Sequence, residues 1–432
     1  MQTIAVDMEE ARKLISSRID EISPDLYEKV NKPLHANPET ALQEFLASQT
    51  LASWLEEQGF NVKRSTYGLE TSFEASFGQG GRQVVLCAEY DALPEIGHAC
   101  GHNLIATASL AAFIGATHVM GKLGLSGRLR ILGTPAEEDE GGKAKLLEGG
   151  AFDPPESIAA AVMVHPLTKQ FLDSTTSDIS GLAGFKTLAC HHFQVEFHGV
   201  TAHAAGEPWN GTNALDAAVA AYQNAALLRQ QVHPDERIHS IFEVAGTVNN
   251  VISDYTRMSW TVRSPTIARA DRLLERVRRC IEAGASATGC TTNFIPFVHT
   301  VSCAHIRTLT DMFRSPTYAN MRANATLCEI YAKEMDYLGK KVVALRDKPL
   351  PGSTDMGNVS YAVPSFHGTF TIPTSPDVAM HNRKFAAAAG TYEAHTEATI
   401  SAKGLAMLAV QVLVNDNVAN AARLDFENLE DA

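Results

Sequence analysis

Between the apolar run Arg82-Gln83-Val84-Val85-Leu86-Cys87-Ala88-Glu89-Tyr90-Asp91 and the apolar stretch from Asn103 to Met120 lies Gly97-His98-Ala99-Cys100-Gly101-His102-Asn103. The first run reads as a buried strand ending in acids, the second as a helix. A strand feeding a helix through a glycine-flanked loop is the building unit of an α/β sheet, and such sheets build their sites in these loops. The loop also gathers a thiol and two imidazoles, the donor types that hold a borderline-soft transition metal. A Cys-x-His on its own is equally compatible with a structural turn, so the other strand ends have to decide.

Strands are predicted at Ser72–Gly78, Arg82–Glu89, Gly127–Gly133 and Ala159–His165, alternating with helices at Ile4–Glu21, Ala41–Gln58 and Leu104–Met120. That alternation is the pattern of an α/β sheet with crossover helices. The third strand runs into Gly133-Thr134-Pro135-Ala136-Glu137-Glu138-Asp139-Glu140-Gly141-Gly142. Adjacent carboxylates can face different ways, one ligating a metal while its neighbour takes a proton from the attacking water, the division of labour that metal-assisted hydrolysis requires. Taken alone, four acids also read as a solvated helix N-terminus favoured by the macrodipole. The fourth strand ends at His165-Pro166, and a lone strand-end histidine is more often a hydrogen-bonded core residue than a ligand. Co-location changes this: Cys100 and His102, Glu137 and Glu138, and His165 all fall just past the carboxyl ends of strands of one sheet.

From about Phe185 the order becomes strand (Phe193–Gly199), helix (Asn213–Gln230), strands (Ile238–Gly246 and Arg257–Val262), helix (Ala268–Ala283) and strand (Thr291–Val298). This split β-α-β-β-α-β order is ferredoxin-like and predicts an inserted α+β domain over residues 185–302, with 1–184 and 303–432 forming the α/β domain around it. Short strands near Lys341–Ala344 and Val363–Ile372 and a last helix at Thr396–Val414 complete the first sheet, and Asp425–Ala432 reads as a solvated end. With 432 residues, 45% apolar and 20% charged, the chain can bury two cores. A net charge of −13 without a basic block argues against a nucleic-acid surface. Seven scattered cysteines fit a reducing compartment rather than a disulfide scaffold. Met1–Asp20 has no apolar signal core, and no uninterrupted apolar stretch is read as long enough to cross a bilayer, so a cytoplasmic protein without a membrane partner is expected.

Cys87-Ala88-Glu89-Tyr90-Asp91-Ala92-Leu93-Pro94, the Gly97–Asn103 loop and Gly133-Thr134-Pro135-Ala136-Glu137-Glu138 resemble the M20 metallopeptidases, in particular their amidohydrolase and aminoacylase-1-like branch. The resemblance continues through Thr201-Ala202-His203-Ala204-Ala205, Pro208-Trp209, Asn213-Ala214-Leu215-Asp216-Ala217-Ala218 and Gly352-Ser353-Thr354-Asp355-Met356-Gly357-Asn358-Val359-Ser360, and covers about Tyr27 to Val414. It implies a catalytic α/β domain with a zinc-peptidase-like mixed sheet, interrupted by a ferredoxin-like lid and dimerisation domain. The implied activity is metal-dependent cleavage of an amide bond in a dipeptide or N-acyl amino acid.

Residue by residue, the resemblance makes Cys100, His102, Glu138 and His165 metal ligands and Glu137 the general base. The family's last ligand is a C-terminal histidine, for which His381 fits the motif better than His395 or His367. Asp91 matches an acid beside the first ligand, where it would fix an imidazole. One or two divalent ions, zinc first, manganese or cobalt as alternatives, would polarise the carbonyl and acidify water. Glu137 would take the proton and return it to the leaving amine. His203 matches the lid histidine that, in the family, reaches from the partner subunit of a homodimer to the oxyanion. Asn250, Arg263, Gly352, Ser353 and Thr354 match substrate-facing positions, although Arg263 can equally serve only to stabilise the lid. Asn103 stands where the wider branch commonly carries aspartate, and the insert Thr300–Tyr318, with His305, Arg307 and Phe313, carries no assignable motif. The competing class is a catalytically silent relative that binds an acyl amino acid or acts as a dimeric interaction module. Retention of Glu137 speaks against it, since a binding protein needs no base.

Overall fold

The computed structural model describes residues 7–172, 178–295 and 317–428. Two compact units emerge, one built from the chain up to Lys186 with Met321–Leu350 and the chain from Thr354, the other from Thr187–Asn320 with Pro351–Ser353. The insertion expected over 185–302 therefore extends to Asn320 and takes in a loop that the sequence pattern assigns to the first domain. Backbone pairing is the reason. Cys190 and Tyr318 exchange N–H···O bonds of 2.8 and 3.0 Å, and Leu188 N–H donates to Gly352 O at 2.8 Å.

In chain order the first unit supplies β1 (Val62–Arg64), β2 (Phe73–Gln79), β3 (Gln83–Ala88), β4 (Gly127–Gly133) and β5 (Ile158–Leu167). The second supplies β6 (Ala189–His198), β7 (Arg237–Val244), β8 (Tyr255–Ser264) and β9 (Thr291–Ile295), after which the first unit is completed by β10 (Ser365–Thr371). Its mixed sheet has the order β1-β2-β4-β3-β5-β10, antiparallel for β1, β2 and β4 and parallel from β4 to β10. Parallel strands are covered on both faces, which is why β3 and β5 read as continuous apolar runs. Along β3, Val84, Leu86 and Ala88 feed one core while Val85 and Cys87 feed the other, following the strand's period of two.

On one face pack α1 (Met8–Leu26), α2 (His102–Leu123) and α3 (Tyr392–Val414). By length and composition α2 and α3 could each cross a membrane, which corrects the expectation that no such stretch exists. Both are core helices here, with most of each apolar window buried inside the unit. The acidic end also needs correction. The chain continues as a helix, Asp416–Asn428, and Asp425 Oδ2 accepts from Thr326 N–H at 2.7 Å, in the first turn of the helix Ala325–Tyr337.

The second unit is an antiparallel sheet of order β9-β6-β8-β7 with the helices Ala214–Leu227 and Ile267–Thr288 on one face. Phe193, Val195 and Phe197 of β6 and Met258, Trp260 and Val262 of β8 alternate into their shared core. β7 is an edge strand with exposed residues on both faces, Ile241 at 63% among them.

Candidate metal centre

All the ligand candidates lie in the first unit, and three of the four chain segments that carry them follow or end strands of its sheet. After β3 the chain buries Glu89 and Asp91, then turns through a loop into α2, whose first residue is His102. Gly101 makes that turn with φ +85°, and a Cβ there would meet Pro166 Cγ at 2.6 Å, so only glycine fits. After β4, Ala136 at φ +61° delivers Glu137 and Glu138 into a short turn. His165 lies near the end of β5. His381 has φ +56° and is tied down by its N–H, which donates to Ala99 O at 3.0 Å.

These segments converge. Cys100 Sγ lies 3.4 Å from His165 Nε2. His102 Nε2 lies 3.6 Å from Glu138 Oε1, 3.6 Å from Glu89 Oε2 and 3.9 Å from Glu137 Oε2. His381 Nε2, on a half-exposed side chain, lies 3.8 Å from Glu138 Oε2. The donor atoms of Cys100, His102 and His165, and those of Cys100, Glu138 and His381, fall within 4.8 Å of one another. Two ligand atoms on one tetrahedral ion stand roughly 3.3–3.8 Å apart, given bonds of about 2.0–2.3 Å, so these separations suit a shared cation.

Tautomers and unpaired atoms point the same way. Asp91 Oδ1 holds His102 Nδ1 at 3.0 Å and Pro166 O holds His165 Nδ1 at 2.7 Å, which puts both ring protons on Nδ1 and leaves both Nε2 atoms as lone-pair donors. His102 Nε2 and Glu138 Oε1 are buried without a hydrogen-bond partner. Leaving such atoms unsatisfied costs about 1–3 kcal/mol each, a cost that a divalent cation removes. Burial, then the charges of Glu89 and Glu138, pushes the Glu137 carboxyl well above the usual range, and burial pushes Glu138 to about 7. Burial lowers His102 while Asp91 and Cys100 raise it, with a net upward result. His165 is pushed down to about 4 by burial. Acids crowded this way are held ionised by a cation in their midst, so the residues present fit a divalent metal.

Other histidines are accounted for differently. His98, the second imidazole of the loop, turns away to Leu34 O at 3.1 Å. His395, in α3, is spanned by Asn31 Nδ2 at 3.2 Å on Nδ1 and Ser23 O at 3.0 Å on Nε2. His367, on β10, lies with its ring centroid 5.9 Å from that of His165 but joins no donor set, and burial lowers it to about 3. The amide at Asn103 also has a reason. Its Nδ2 donates to Asn31 Oδ1 at 2.7 Å and to Ala389 O at 2.9 Å, which an aspartate could not do.

Sequence reasoning missed one group altogether. Lys143 is fully buried, with Nζ 2.5 Å from both Glu89 Oε1 and Asp355 Oδ1, while its backbone N–H donates to Asp355 Oδ2 at 2.7 Å. The only signal was the Gly141-Gly142 pair before it: a Cβ on Gly142 would lie 1.7 Å from Pro135 O, so the chain doubles back tightly after the acids.

The remaining candidates are divided between the units. His203 is exposed in the second unit, and its Nδ1 accepts from Ala205 N–H at 3.2 Å and Gly206 N–H at 3.1 Å, so Nε2 carries the proton. Asn250 is also exposed, and its carbonyl accepts from Ala204 N–H at 3.0 Å. Arg263, on β8, donates to Ser353 Oγ at 3.1 Å, and Gly352 pairs with Leu188. Thr354 belongs to the first unit, where its Oγ1 accepts from Met356 N–H at 3.2 Å. His305, Arg307 and Phe313 lie outside the described residues.

With the geometry set out, known proteins can be compared. The sequence pattern of peptidase family M20/M25/M40 matches residues 85–400. The chain is 34% identical to the Xaa-Arg dipeptidase of Mus musculus over 438 residues, spanning 98% of this chain and 94% of that protein. It is 27% identical to a p-aminobenzoyl-glutamate hydrolase of Escherichia coli (strain K12), over 98% of this chain and 96% of that one. The fold is shared with the Bacillus subtilis YXEP protein, a dinuclear metal binding peptidase from the M20 family, at a TM-score of 0.62 and 21% identity over 93% of this chain and 99% of that one.

Proposed function

The chain belongs to peptidase family M20/M25/M40, and from that premise we propose that it hydrolyses the amide bond of dipeptides, releasing arginine as the C-terminal residue. Metal-dependent amide hydrolysis follows from family and site together. The observation that carries it is the pair of buried, unpartnered atoms His102 Nε2 and Glu138 Oε1, facing each other beside Cys100, His165 and His381. When bound there, a divalent ion supplies Lewis acidity for the amide carbonyl and for the attacking water. Cys100, His102, Glu138, His165 and His381 would hold it. Cys100 belongs to both donor sets, which supports two ions sharing its thiolate, and the thiolate and imidazole donors favour zinc over manganese or cobalt.

Glu137 is one residue from a ligand and is not needed as one. As a carboxylate it takes the proton of the attacking water, and as an acid it returns that proton to the departing amine. His203 is assigned as donor to the oxyanion, supported by the proton on its Nε2. Asn250, Arg263 and the Gly352–Thr354 loop are assigned to the substrate's carboxylate end.

A homodimer is proposed through β7. Its outer edge is unpaired among the described strands, and Leu227 (75% exposed), Ile241 (63%) and Phe242 (38%) leave apolar surface on or beside it. A second copy of the same edge would pair with it isologously. A reducing, cytoplasmic setting is proposed as well, supported by six free cysteines among the described residues, Cys100 included.

The test is a screen of the metal-supplemented enzyme against Xaa-Arg dipeptides, dipeptides ending in other residues, N-acyl amino acids and p-aminobenzoyl-glutamate, with released amine quantified. Preferred turnover of Xaa-Arg dipeptides is expected. Turnover confined to N-acyl amino acids would replace the dipeptidase reading, and light scattering at micromolar protein decides the dimer.

A further inference from the structure

Two carboxylates stand at the same distance from the open nitrogen of His102. Glu138 Oε1 and Glu89 Oε2 each lie 3.6 Å from His102 Nε2, and all three atoms are buried without hydrogen-bond partners. Glu89, His102 and Glu137 form a donor set as compact as those containing Cys100. Distance from His102 therefore does not say which carboxylate ligates. What separates the two acids is their other oxygen. Glu138 Oε2 faces His381, a further donor, at 3.8 Å, whereas Glu89 Oε1 is held at 2.5 Å by the ammonium of Lys143.

Lys143 is itself fixed from three sides. Asp355 takes its ammonium on Oδ1 and its backbone N–H on Oδ2, and Glu89 takes the ammonium from the opposite side. Lys143, Glu89 and Asp355 are all fully buried, so neither water nor a surface charge can substitute for this pairing. A lone buried ammonium would be strongly penalised, and so would either carboxylate without it.

We infer that Lys143 is a positioning residue that withholds Glu89 from the metal, leaving Glu138 as the ligating carboxylate and Glu137 as the base. The inference rests on the proposed metal centre. It assigns to the Lys143–Glu89 pair the choice of ligand set, and with it the coordination number.

Coordination number can be read without turnover. Protein stripped with a chelator and reloaded with Co2+ alone gives visible absorption whose intensity falls as oxygen ligands are added and the ion leaves tetrahedral geometry. Lys143→Met is expected to weaken and shift the band, and to tighten Co2+ binding roughly tenfold as a nearby positive charge is lost and a carboxylate gained. Lys143→Met/Glu89→Gln is expected to return the wild-type spectrum, because the freed carboxylate is gone. Glu89→Gln alone should keep the wild-type band. Lys143→Gln, which retains a hydrogen-bond donor, replaces Lys143→Met if the latter does not fold. A Lys143 variant with an unchanged band overturns the inference, as does a changed band in Glu89→Gln, which would make Glu89 a ligand already. If wild-type protein gives no Co2+ band at all, the proposed metal centre has failed rather than the role of Lys143.

Discussion

Asp91 holds two ligands with one carboxylate: Oδ1 lies 3.0 Å from His102 Nδ1, and Oδ2 accepts from the backbone N–H of Glu138 at 3.0 Å. Burial raises this carboxyl, His102 lowers it, and the net result is a group held below its ordinary range. Asp91→Asn would lose the charge that keeps the His102 proton on Nδ1. Metal affinity is expected to drop about 10–100-fold, measured by competition with a chromophoric chelator. Unchanged affinity would remove Asp91 from the centre.

Glu137 and Glu138 are neighbours in one turn with different expected roles. Glu137→Gln should retain metal near the wild-type amount while kcat falls about 10²–10⁴-fold, since the ligands stay and the base is lost. Glu138→Ala should lose metal on dialysis. Full turnover in Glu137→Gln, or equal metal loss in both variants, would undo that division.

The two C-terminal histidines are separable by experiment. His381 Nε2 faces Glu138, and the ring is half exposed, so His381→Ala is expected to weaken metal binding with little effect on the stability of metal-free protein. His395 is buried and bonded to Asn31 and Ser23, so His395→Ala should lower stability by roughly 1–3 kcal/mol while binding metal normally. Metal analysis paired with denaturant melts distinguishes them, and the reverse pattern would mean that the ligand is His395.

Why some of this was legible in sequence and some was not follows from how each feature is encoded. Cys100, His102, Glu137, Glu138 and His165 sit next to strand ends that apolar periodicity marks clearly, so donor chemistry and position could be read together. His381 sits on a left-handed turn with no such marker, and the family resemblance supplied it. The Lys143–Glu89–Asp355 cluster escaped because it joins positions far apart in the chain, and because a lysine is almost never expected to be fully buried. Likewise, the end of the inserted unit depends on Cys190 pairing with Tyr318, a contact that local composition does not announce. β1 and the pair Gly181–Leu182 with Val342–Val343 are too short to leave a pattern, and only the second half of that pair was anticipated.

Acid should destabilise the fold through its buried histidines. Burial pushes His395 down to about 4, and it likewise lowers His98 and His367 to about 3 and His192 to about 4. Between pH 4 and 6.5 the unfolded chain binds protons that the folded chain does not. Stability is therefore full above about pH 6.5 and falls as pH drops toward each folded value. For His395 alone the loss would be on the order of 3 kcal/mol, at about 1.4 kcal/mol per pH unit. His395→Gln should thus be less stable than wild type at pH 7 but show a shallower decline of stability from pH 6.5 to 4, as followed by urea unfolding of metal-free protein at each pH. The difference between the two slopes isolates His395, because every other titrating group is common to both chains. Parallel curves would show that His395 is already protonated in the folded state, and would replace the neutral, Asn31-bonded ring with a charged one.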